Sequence, residues 1–310
     1  MPGWPPGLWA MSDNSPSQLL SDTAFVTHVF RMSLFFFIAG FVARLMQRKL
    51  GTGGFWRNRA LRIGVPLLAG WVILYPAIQY IWIAGITKSF GGTLPPMPEM
   101  PKVAGAFPLT HLWFLYQLLL TYAAALSVRA LVNRFDRAEG QKLRGGVDRL
   151  LSFSLRVPIA MFFLGVPMAV ALMTLPNWFY WTGIPTPDQT LIPQLPATIA
   201  FGMAFVVGWL VQRSRDALAL IERRWALHLS TGVVASAWLL GVVHATPMAQ
   251  PGLLKGVYAY VFGVALWGWV FGLTGLALRY LSDYNVGLPR KSGRCLSYAA
   301  IAAAACFSNC

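Results

Sequence analysis

The chain has 310 residues, of which 56% are hydrophobic and only 11% are charged, and its formal net charge is +15. This balance excludes a single soluble core, because apolar runs of about 20 residues, enough for a helix to cross ~30 Å of hydrocarbon, recur along the whole length. The runs are continuous rather than alternating, which argues against membrane-spanning strands. The sequence therefore predicts an all-α, polytopic membrane helical bundle.

Seven apolar segments have the length and composition of bilayer spans. They comprise residues 25–45, 60–85, 111–132, 157–175, 195–211, 227–245 and 257–278. None of them contains Asp or Glu, which argues against a proton-coupled transporter, because such proteins carry carboxylates or histidines at mid-membrane. The last span carries Gly268, Gly272 and Gly275 at helical spacing, which predicts a face for close helix packing.

Basic residues are concentrated in alternate loops between the predicted spans. Residues 44–62 hold six of them, residues 129–156 seven, and residues 213–224 and 279–294 four each, whereas the other loops hold Lys88, Lys102 and Lys255. By the positive-inside rule, the basic loops and the C-terminal tail are predicted to be cytoplasmic, and residues 1–28 extracytoplasmic. The charge therefore indicates a multi-pass protein of the cell inner membrane in contact with anionic lipid, with no nucleic acid as partner.

The predicted domain organisation is a membrane domain, residues 23–283, between two atypical ends. Residues 1–22 are predicted to be extracytoplasmic and contain no signal peptide of the charged-then-apolar kind. We therefore expect that a first helix is missing from this sequence. Residues 284–310 form a tail whose composition changes to Arg, Lys and Ser and then to an alanine run. All three cysteines lie in this tail without a nearby histidine, and we expect no metal site.

The first predicted span contains a charged residue. Arg31 lies within an otherwise apolar helix, three residues after His28. A charge at the centre of a membrane helix costs roughly 2.5–3.5 kcal/mol, which favours a functional role for Arg31. The alternative is a shallow arginine whose guanidinium group reaches the headgroups. The residues alone leave both interpretations open.

Histidines mark the ends of several predicted spans. His28, His111 and His244 lie at predicted outer ends, and His228 lies at an inner end. Imidazole has an unperturbed pKa of about 6.5 and can act as a general base on a hydroxyl group. Each of these histidines can equally be an interfacial residue with its polar edge in water.

Arginines precede the second predicted span. Arg59 and Arg62 are three residues apart and are predicted to share one face at the cytoplasmic N-terminus of this helix, with Arg57 just before them. A helix N-terminus flanked by guanidinium groups is a good phosphate site. The alternative is a purely topological role as positive-inside anchors.

Three segments, taken in this order, resemble the acyltransferase-3 family of integral membrane acyltransferases, and especially its glucan biosynthesis protein C-like branch. They are His28-x-Phe30-Arg31-Met32 running into Phe35-Phe36-Phe37-Ile38-Ala39-Gly40, Arg57-x-Arg59-x-x-Arg62-Ile63-x-x-Pro66, and His111-Leu112-Trp113-Phe114-Leu115. Gly208-Trp209-Leu210 is a weaker match. Order and spacing agree with the family from about residue 20 to about residue 283.

The resemblance implies a bundle of about ten helices, of which about seven remain in this sequence. It implies transfer of an acyl group, succinyl or acetyl, from cytoplasmic acyl-coenzyme A to a hydroxyl of an extracytoplasmic glycan. The site residues that it implies are, on the outer catalytic side, His28, Arg31 and His111 and, for donor binding, Arg57, Arg59 and Arg62. Among these, Arg59 and Arg62 match the paired arginines that the family associates with the donor.

Two departures from the family pattern bear on activity. The family's catalytic histidine belongs to a helix before the Phe-Arg-Met segment, and another helix follows the position of Asp283; this sequence shows neither. We therefore expect the chain as written not to catalyse acyl transfer, although an intact relative would. The alternatives are a non-catalytic membrane remnant or partner subunit, and a seven-helix transporter or receptor whose polar residues line a ligand path.

The charge alternation makes the topology testable by cysteine labelling. With Cys295, Cys306 and Cys310 replaced, His111→Cys is expected to react with an impermeant thiol reagent in intact cells, because its loop is predicted to be outside. Arg223→Cys is expected to react only after the membrane is opened. Labelling of Arg223→Cys in intact cells would overturn the predicted orientation.

Overall fold

The computed structural model of the chain describes residues 17–89, 91–93, 105–138 and 160–281, together with residues 15, 145, 146 and 149. Within these ranges the elements are helices, accompanied by two isolated β-bridges, Ala106–Thr190 and Phe179–Met248. The prediction of an all-α membrane helical bundle is confirmed. The predicted tail 284–310, with its cysteines, and most of the predicted segment 1–22 lie outside the described residues.

The helices whose bounds are described are numbered in chain order. They are α1 (Gln18–Arg59), α2 (Val65–Ser89), α3 (Trp113–Ala138), α4 (Ala160–Met173), α5 (Leu195–Val211), α6 (Arg215–Arg223), α7 (Trp225–Ala245) and α8 (Leu253–Leu281). A π-helical turn, Ala60–Gly64, joins α1 to α2. Short 3₁₀ helices at Thr110–Leu112 and Tyr180–Thr182 precede α3 and follow α4.

The count of membrane-crossing helices differs from the seven predicted spans, although each predicted span overlaps a described helix. Four segments are long and apolar enough to cross a membrane, namely Gln18–Lys88, Thr110–Phe135, Trp225–Ala245 and Leu253–Leu281. A fifth membrane-crossing segment is obtained if α5 and α6, which are bent by 112° relative to each other, are counted as one span. The counts differ because the first two predicted spans share one 71-residue helical segment, and because α4 and α5 have only 14 and 17 residues.

The long first segment bends sharply at Gly51. This residue has φ 69° and ψ −179°, in a region that glycine adopts readily and residues with a side chain rarely do. Beyond it, the Arg59 guanidinium group contacts the sulfur of Met46. In a straight helix, two residues 13 positions apart would be separated by about 20 Å, which is too far for these two side chains to meet. The bend at Gly51 therefore brings Arg59 back beside Met46.

Helices α1 and α5 cross in very close contact through two glycines. A Cβ atom added to Gly40 would collide with the backbone carbonyl of Phe205, and one added to Gly208 would collide with the backbone carbonyl of Phe37. The contact is reciprocal, so each helix supplies the small residue against the other's backbone. Small residues at such crossings let membrane helices gain packing contacts that the hydrophobic effect does not provide between apolar surfaces in lipid.

The glycine stripe of the last helix packs as predicted. Gly268 faces the backbone of Gly232 on α7, and Gly272 faces Leu229 on the same helix. Gly275 faces Ile221 and the side chain of Trp225, where α6 leads into α7. The prediction of a close helix-packing face on α8 is therefore confirmed.

Helix α8 lies at the centre of the bundle and α2 at its periphery. Of the most apolar 18-residue stretch of α8, 78% is buried inside the bundle. Helix α2, by contrast, exposes large apolar side chains such as Leu68, Val72, Ile73 and Tyr80. An apolar surface on every side of a helix is typical of a membrane span, so this exposed face of α2 is suited to lipid.

We predict that Gly208→Ala destabilises the bundle and that Gly202→Ala on the same helix does not. A methyl group at position 208 meets the Phe37 backbone, and overpacking of this kind costs about 1–3 kcal/mol. Position 202 faces open space, where alanine instead improves helix propensity by about 1 kcal/mol or less. Thermal unfolding of the two purified variants in detergent measures the difference, and equal unfolding temperatures would contradict the crossing.

Candidate functional site

A small cavity lined by both polar and apolar side chains lies beside the N-terminal part of α1. Its volume is about 10 Å³, roughly the space of one water molecule. The side chains that line it come from α1, α5 and the segment after the second 3₁₀ helix; they are His28, Val29, Met32, Ser33, Ile184, Thr186 and Phe201. Of the six predicted site residues, His28 is the one that reaches this cavity.

The imidazole ring of His28 is held against the segment that follows α4. The ring makes a hydrogen bond to the backbone of Thr182, and the neighbouring Gly183 leaves space for it. A hydrogen bond from one ring nitrogen to a carbonyl fixes the neutral tautomer, and the other nitrogen is then a proton acceptor. One edge of the His28 ring therefore faces Thr182, and the role of the ring as a general base stays a prediction.

The segment 178–184 is itself firmly positioned. The indole of Trp178 donates a hydrogen bond of 2.6 Å to the carbonyl of Gly183, which has a φ of 57°. The ring of Tyr180 stacks on that of Tyr258 in α8 with 3.8 Å between centroids, and burial raises the pKa of the Tyr180 hydroxyl. These contacts fix the backbone to which His28 is hydrogen-bonded.

Ser33 is a polar residue of the cavity that sequence reasoning missed. Its side chain is only 1% exposed, and its hydroxyl has no hydrogen-bond partner within the described part of the chain. A buried hydroxyl without a partner costs free energy, so it indicates a place where a polar group of a ligand or a water binds. The signal in the sequence was a lone serine inside the apolar run after Arg31.

Arg31 and His111 lie away from the cavity. Both are exposed, Arg31 on α1 and His111 in the 3₁₀ helix Thr110–Leu112. The motif around His111 nevertheless supports the site, since the ring of Trp113 packs against Phe201 of the cavity wall with 5.5 Å between centroids. The catalytic roles of His28, Arg31 and His111 stay predictions.

The predicted donor arginines occupy different environments. Arg57 and Arg62 are exposed, whereas Arg59 is half-buried. Residues 60–64 between these two arginines are π-helical, so positions three residues apart lie further apart around the helix axis than they would in an α-helix. The shared donor-binding face of Arg59 and Arg62 stays a prediction.

Arg59 lies in an aromatic, uncharged environment. Its guanidinium carbon is 5.5 Å from the ring centroid of Phe55 and 5.7 Å from that of Tyr122. It donates to the Asn58 side chain at 2.8 Å and to the Tyr122 hydroxyl at 3.5 Å, and its buried Nε has no partner in the described residues. No carboxylate among those residues pairs with it, so the group can accept an anionic ligand.

A second polar contact that the sequence did not predict ties the N-terminal end of α1 to the C-terminal end of α7. His244 Nε2 lies 3.0 Å from Asp22 Oδ1, and the Gln18 side-chain amide donates to the same oxygen at 2.8 Å. The side chains of His244 and Asp22 are 40% and 28% exposed. Because Asp22 and His244 are 222 positions apart, no local pattern could have paired them.

The profile of the acyltransferase-3 family (Acyl_transf_3), which is described as an acyltransferase domain, matches residues 3–300. The chain belongs to this family. The predicted resemblance to integral membrane acyltransferases of the acyltransferase-3 family is thereby confirmed. The three motifs that carry it, at His28, Arg57 and His111, all lie within the matched residues. The domain boundaries at 22 and 283 stay predictions.

Relatives with the name "Glucans biosynthesis protein C" match part of the chain. The protein from Shigella dysenteriae serotype 1 is 30% identical over 115 residues, or 36% of this chain and 29% of that protein. The protein from Salmonella typhimurium is 26% identical over 163 residues, or 52% of this chain and 40% of that protein. The matches thus span less than half the length of these relatives. No solved structure matches the chain.

We predict that Ser33→Ala leaves the stability of the protein unchanged or increases it by up to about 1–3 kcal/mol, because the substitution removes a buried hydroxyl without a partner. Ser236→Ala is the matched control. Ser236 is 2% exposed and accepts a hydrogen bond of 2.9 Å from the Trp269 indole, so its loss is expected to destabilise the protein by a similar amount. Thermal unfolding in detergent measures both, and destabilisation by Ser33→Ala would show that the hydroxyl is already satisfied.

Proposed function

We propose that the protein is an integral inner-membrane O-acyltransferase in which His28 takes the role that the family pattern gives to a histidine on a preceding helix; if it cannot, the chain is inactive, as its sequence leads us to expect. In this proposal, it moves an acyl group, succinyl or acetyl, from acyl-coenzyme A at the cytoplasmic face to a hydroxyl of an extracytoplasmic glycan. The observation that carries the proposal is the placement of His28 and Arg59 near opposite ends of α1. One is an imidazole beside a small cavity that Ser33 and Thr186 also line, and the other is a guanidinium group without a carboxylate partner among the described residues.

At the outer end, His28 is the proposed general base. The ring nitrogen that does not bond Thr182 takes the proton of the glycan hydroxyl as its oxygen attacks the thioester carbonyl. A C–O bond forms, the C–S bond breaks, and the proton passes from the imidazolium to the departing thiolate. The Ser33 hydroxyl lines the same cavity and is proposed to donate to the oxyanion of the tetrahedral intermediate.

At the inner end, Arg59 is the proposed donor residue. Coenzyme A brings a pyrophosphate and a 3′-phosphate, and guanidinium groups bind such groups through charge-assisted hydrogen bonds. Residues 44–62 are rich in basic side chains, which supports a cytoplasmic position for this end of α1. Arg57 and Arg62 are exposed, and their proposed contribution is a general attraction for the anionic donor.

The length of α1 between the two ends suits transfer across a bilayer. The 18 positions from His28 to Met46, which contacts Arg59, correspond to about 27 Å of helix. This is close to the ~30 Å thickness of the hydrocarbon core. The acyl group is therefore proposed to cross along α1 from the inner phosphate site to the outer cavity. The names of the relatives support a glucan as acceptor.

We expect His28→Ala to lower the rate of acyl transfer by about 10²–10⁴-fold, because it removes a positioned general base. Arg59→Ala is expected to weaken coenzyme A binding by roughly 10–100-fold, because one charge-assisted contact with a phosphate is lost. The measurement is acyl transfer from labelled acyl-coenzyme A to periplasmic glucans in membranes that contain the full chain.

Exposed residues of the same types provide the controls. His111→Ala and Arg62→Ala are expected to retain the transfer rate and the coenzyme A affinity within about threefold, since neither lies at the cavity or beside the Arg59 rings. A wild-type chain that binds no coenzyme A and transfers no acyl group would refute the enzyme assignment and favour a non-catalytic membrane subunit. Loss of transfer in His111→Ala alone would move the catalytic role to His111.

A further inference from the structure

Arg44 lies close to the α1–α5 crossing. It follows Gly40 by one helical turn, and Trp209 is the neighbour in sequence of Gly208. Because these two glycines pack against the opposite helix, the side chains one turn further inward are brought face to face. The guanidinium carbon of Arg44 lies 5.5 Å from the centroid of the Trp209 ring. Arg44 is half-buried, as Arg59 is.

A continuous set of aromatic rings connects Arg44 to Arg59, and we call it the inner aromatic cluster. It consists of Phe55, Tyr122, Phe205 and Trp209, with centroid distances of 5.3 Å from Phe55 to Tyr122, 5.4 Å from Tyr122 to Phe205 and 6.1 Å from Phe205 to Trp209. Arg59 lies over the first two rings and Arg44 over the last. The two guanidinium groups therefore flank one cluster built by α1, α3 and α5.

Polar groups border the same cluster. The side-chain oxygen of Gln212, three residues after Trp209, is buried and has no hydrogen-bond partner among the described residues. On the α3 side, the guanidinium group of Arg129 donates to the side-chain oxygen of Gln47. The ends of α1, α3 and α5 thus hold several guanidinium and amide groups close in sequence to the cluster, and the guanidinium groups are the ones that can bind an anion.

We propose that Arg44 is the second guanidinium group of the donor site, together with Arg59, and that the two bind the phosphates of the nucleotide end of coenzyme A. This inference rests on the proposed function. It replaces the pairing of Arg59 with Arg62, because Arg62 is exposed and Arg44 shares the inner aromatic cluster with Arg59. A donor with phosphates at two positions matches two cations held by one rigid group of rings.

The experiment measures binding of coenzyme A, adenosine 3′,5′-bisphosphate and pantetheine to the purified full chain in detergent. Arg44→Ala is expected to weaken the affinity for coenzyme A and for the bisphosphate by 10–100-fold, and to leave that for pantetheine unchanged. Arg48→Ala is the matched control, because Arg48 lies one turn further along α1 and is exposed. It is expected to change the three affinities by less than threefold.

Arg44→Lys keeps the positive charge and is expected to restore part of the lost affinity, which also provides a folded variant if Arg44→Ala is unstable. Unchanged coenzyme A binding in Arg44→Ala, together with weakened binding in Arg59→Ala, would overturn the role of Arg44 and leave the proposed function standing. An equal loss of affinity in Arg44→Ala and Arg48→Ala would also overturn it, because the effect would then be general electrostatics. Absence of coenzyme A binding in the wild-type chain would refute both proposals.

Discussion

The reciprocal contact of Gly40 and Gly208 is the constraint on which both ends of the candidate site depend. At this crossing the backbones of α1 and α5 touch, and no side chain separates them. One turn toward the N-terminus of α1, Phe36 stacks on Phe201, which lines the cavity beside His28. One turn toward its C-terminus, Arg44 meets Trp209. The crossing and these two contacts together set the relative position of the two helices.

The sequence predicted those features of the fold that depend on local composition. Apolar runs located the helices, and the spacing of Gly268, Gly272 and Gly275 identified the packing face of α8. The number of separate helical segments was not predictable in the same way, because the bend at Gly51 leaves the first two predicted spans in one helical segment. Three glycines within residues 51–54 mark a weak point in the helix, but they do not distinguish a bend from a loop.

The candidate site was predictable only in part. His28 was identified because a histidine before a charged residue stands out in an apolar run, whereas Ser33 did not, because serine is common in membrane helices. Arg59 and Arg62 were equivalent in the sequence, and the π-helical turn between them decides which one is half-buried. The contact of Asp22 with His244 depends on tertiary packing alone.

The distribution of polar groups along α1 follows from the cost of placing them in hydrocarbon. Asp22, His28 and Arg31 lie toward the N-terminal end, Arg44 and Gln47 lie further along the helix, and residues 34–43 between them are apolar or aromatic. In the proposed function, the acyl group would cross this apolar middle without a charge, while the charged phosphates would stay at the inner arginines. A helix with polar ends and an apolar middle would then separate donor binding from acceptor chemistry, which suits transfer across a membrane better than a site confined to one face.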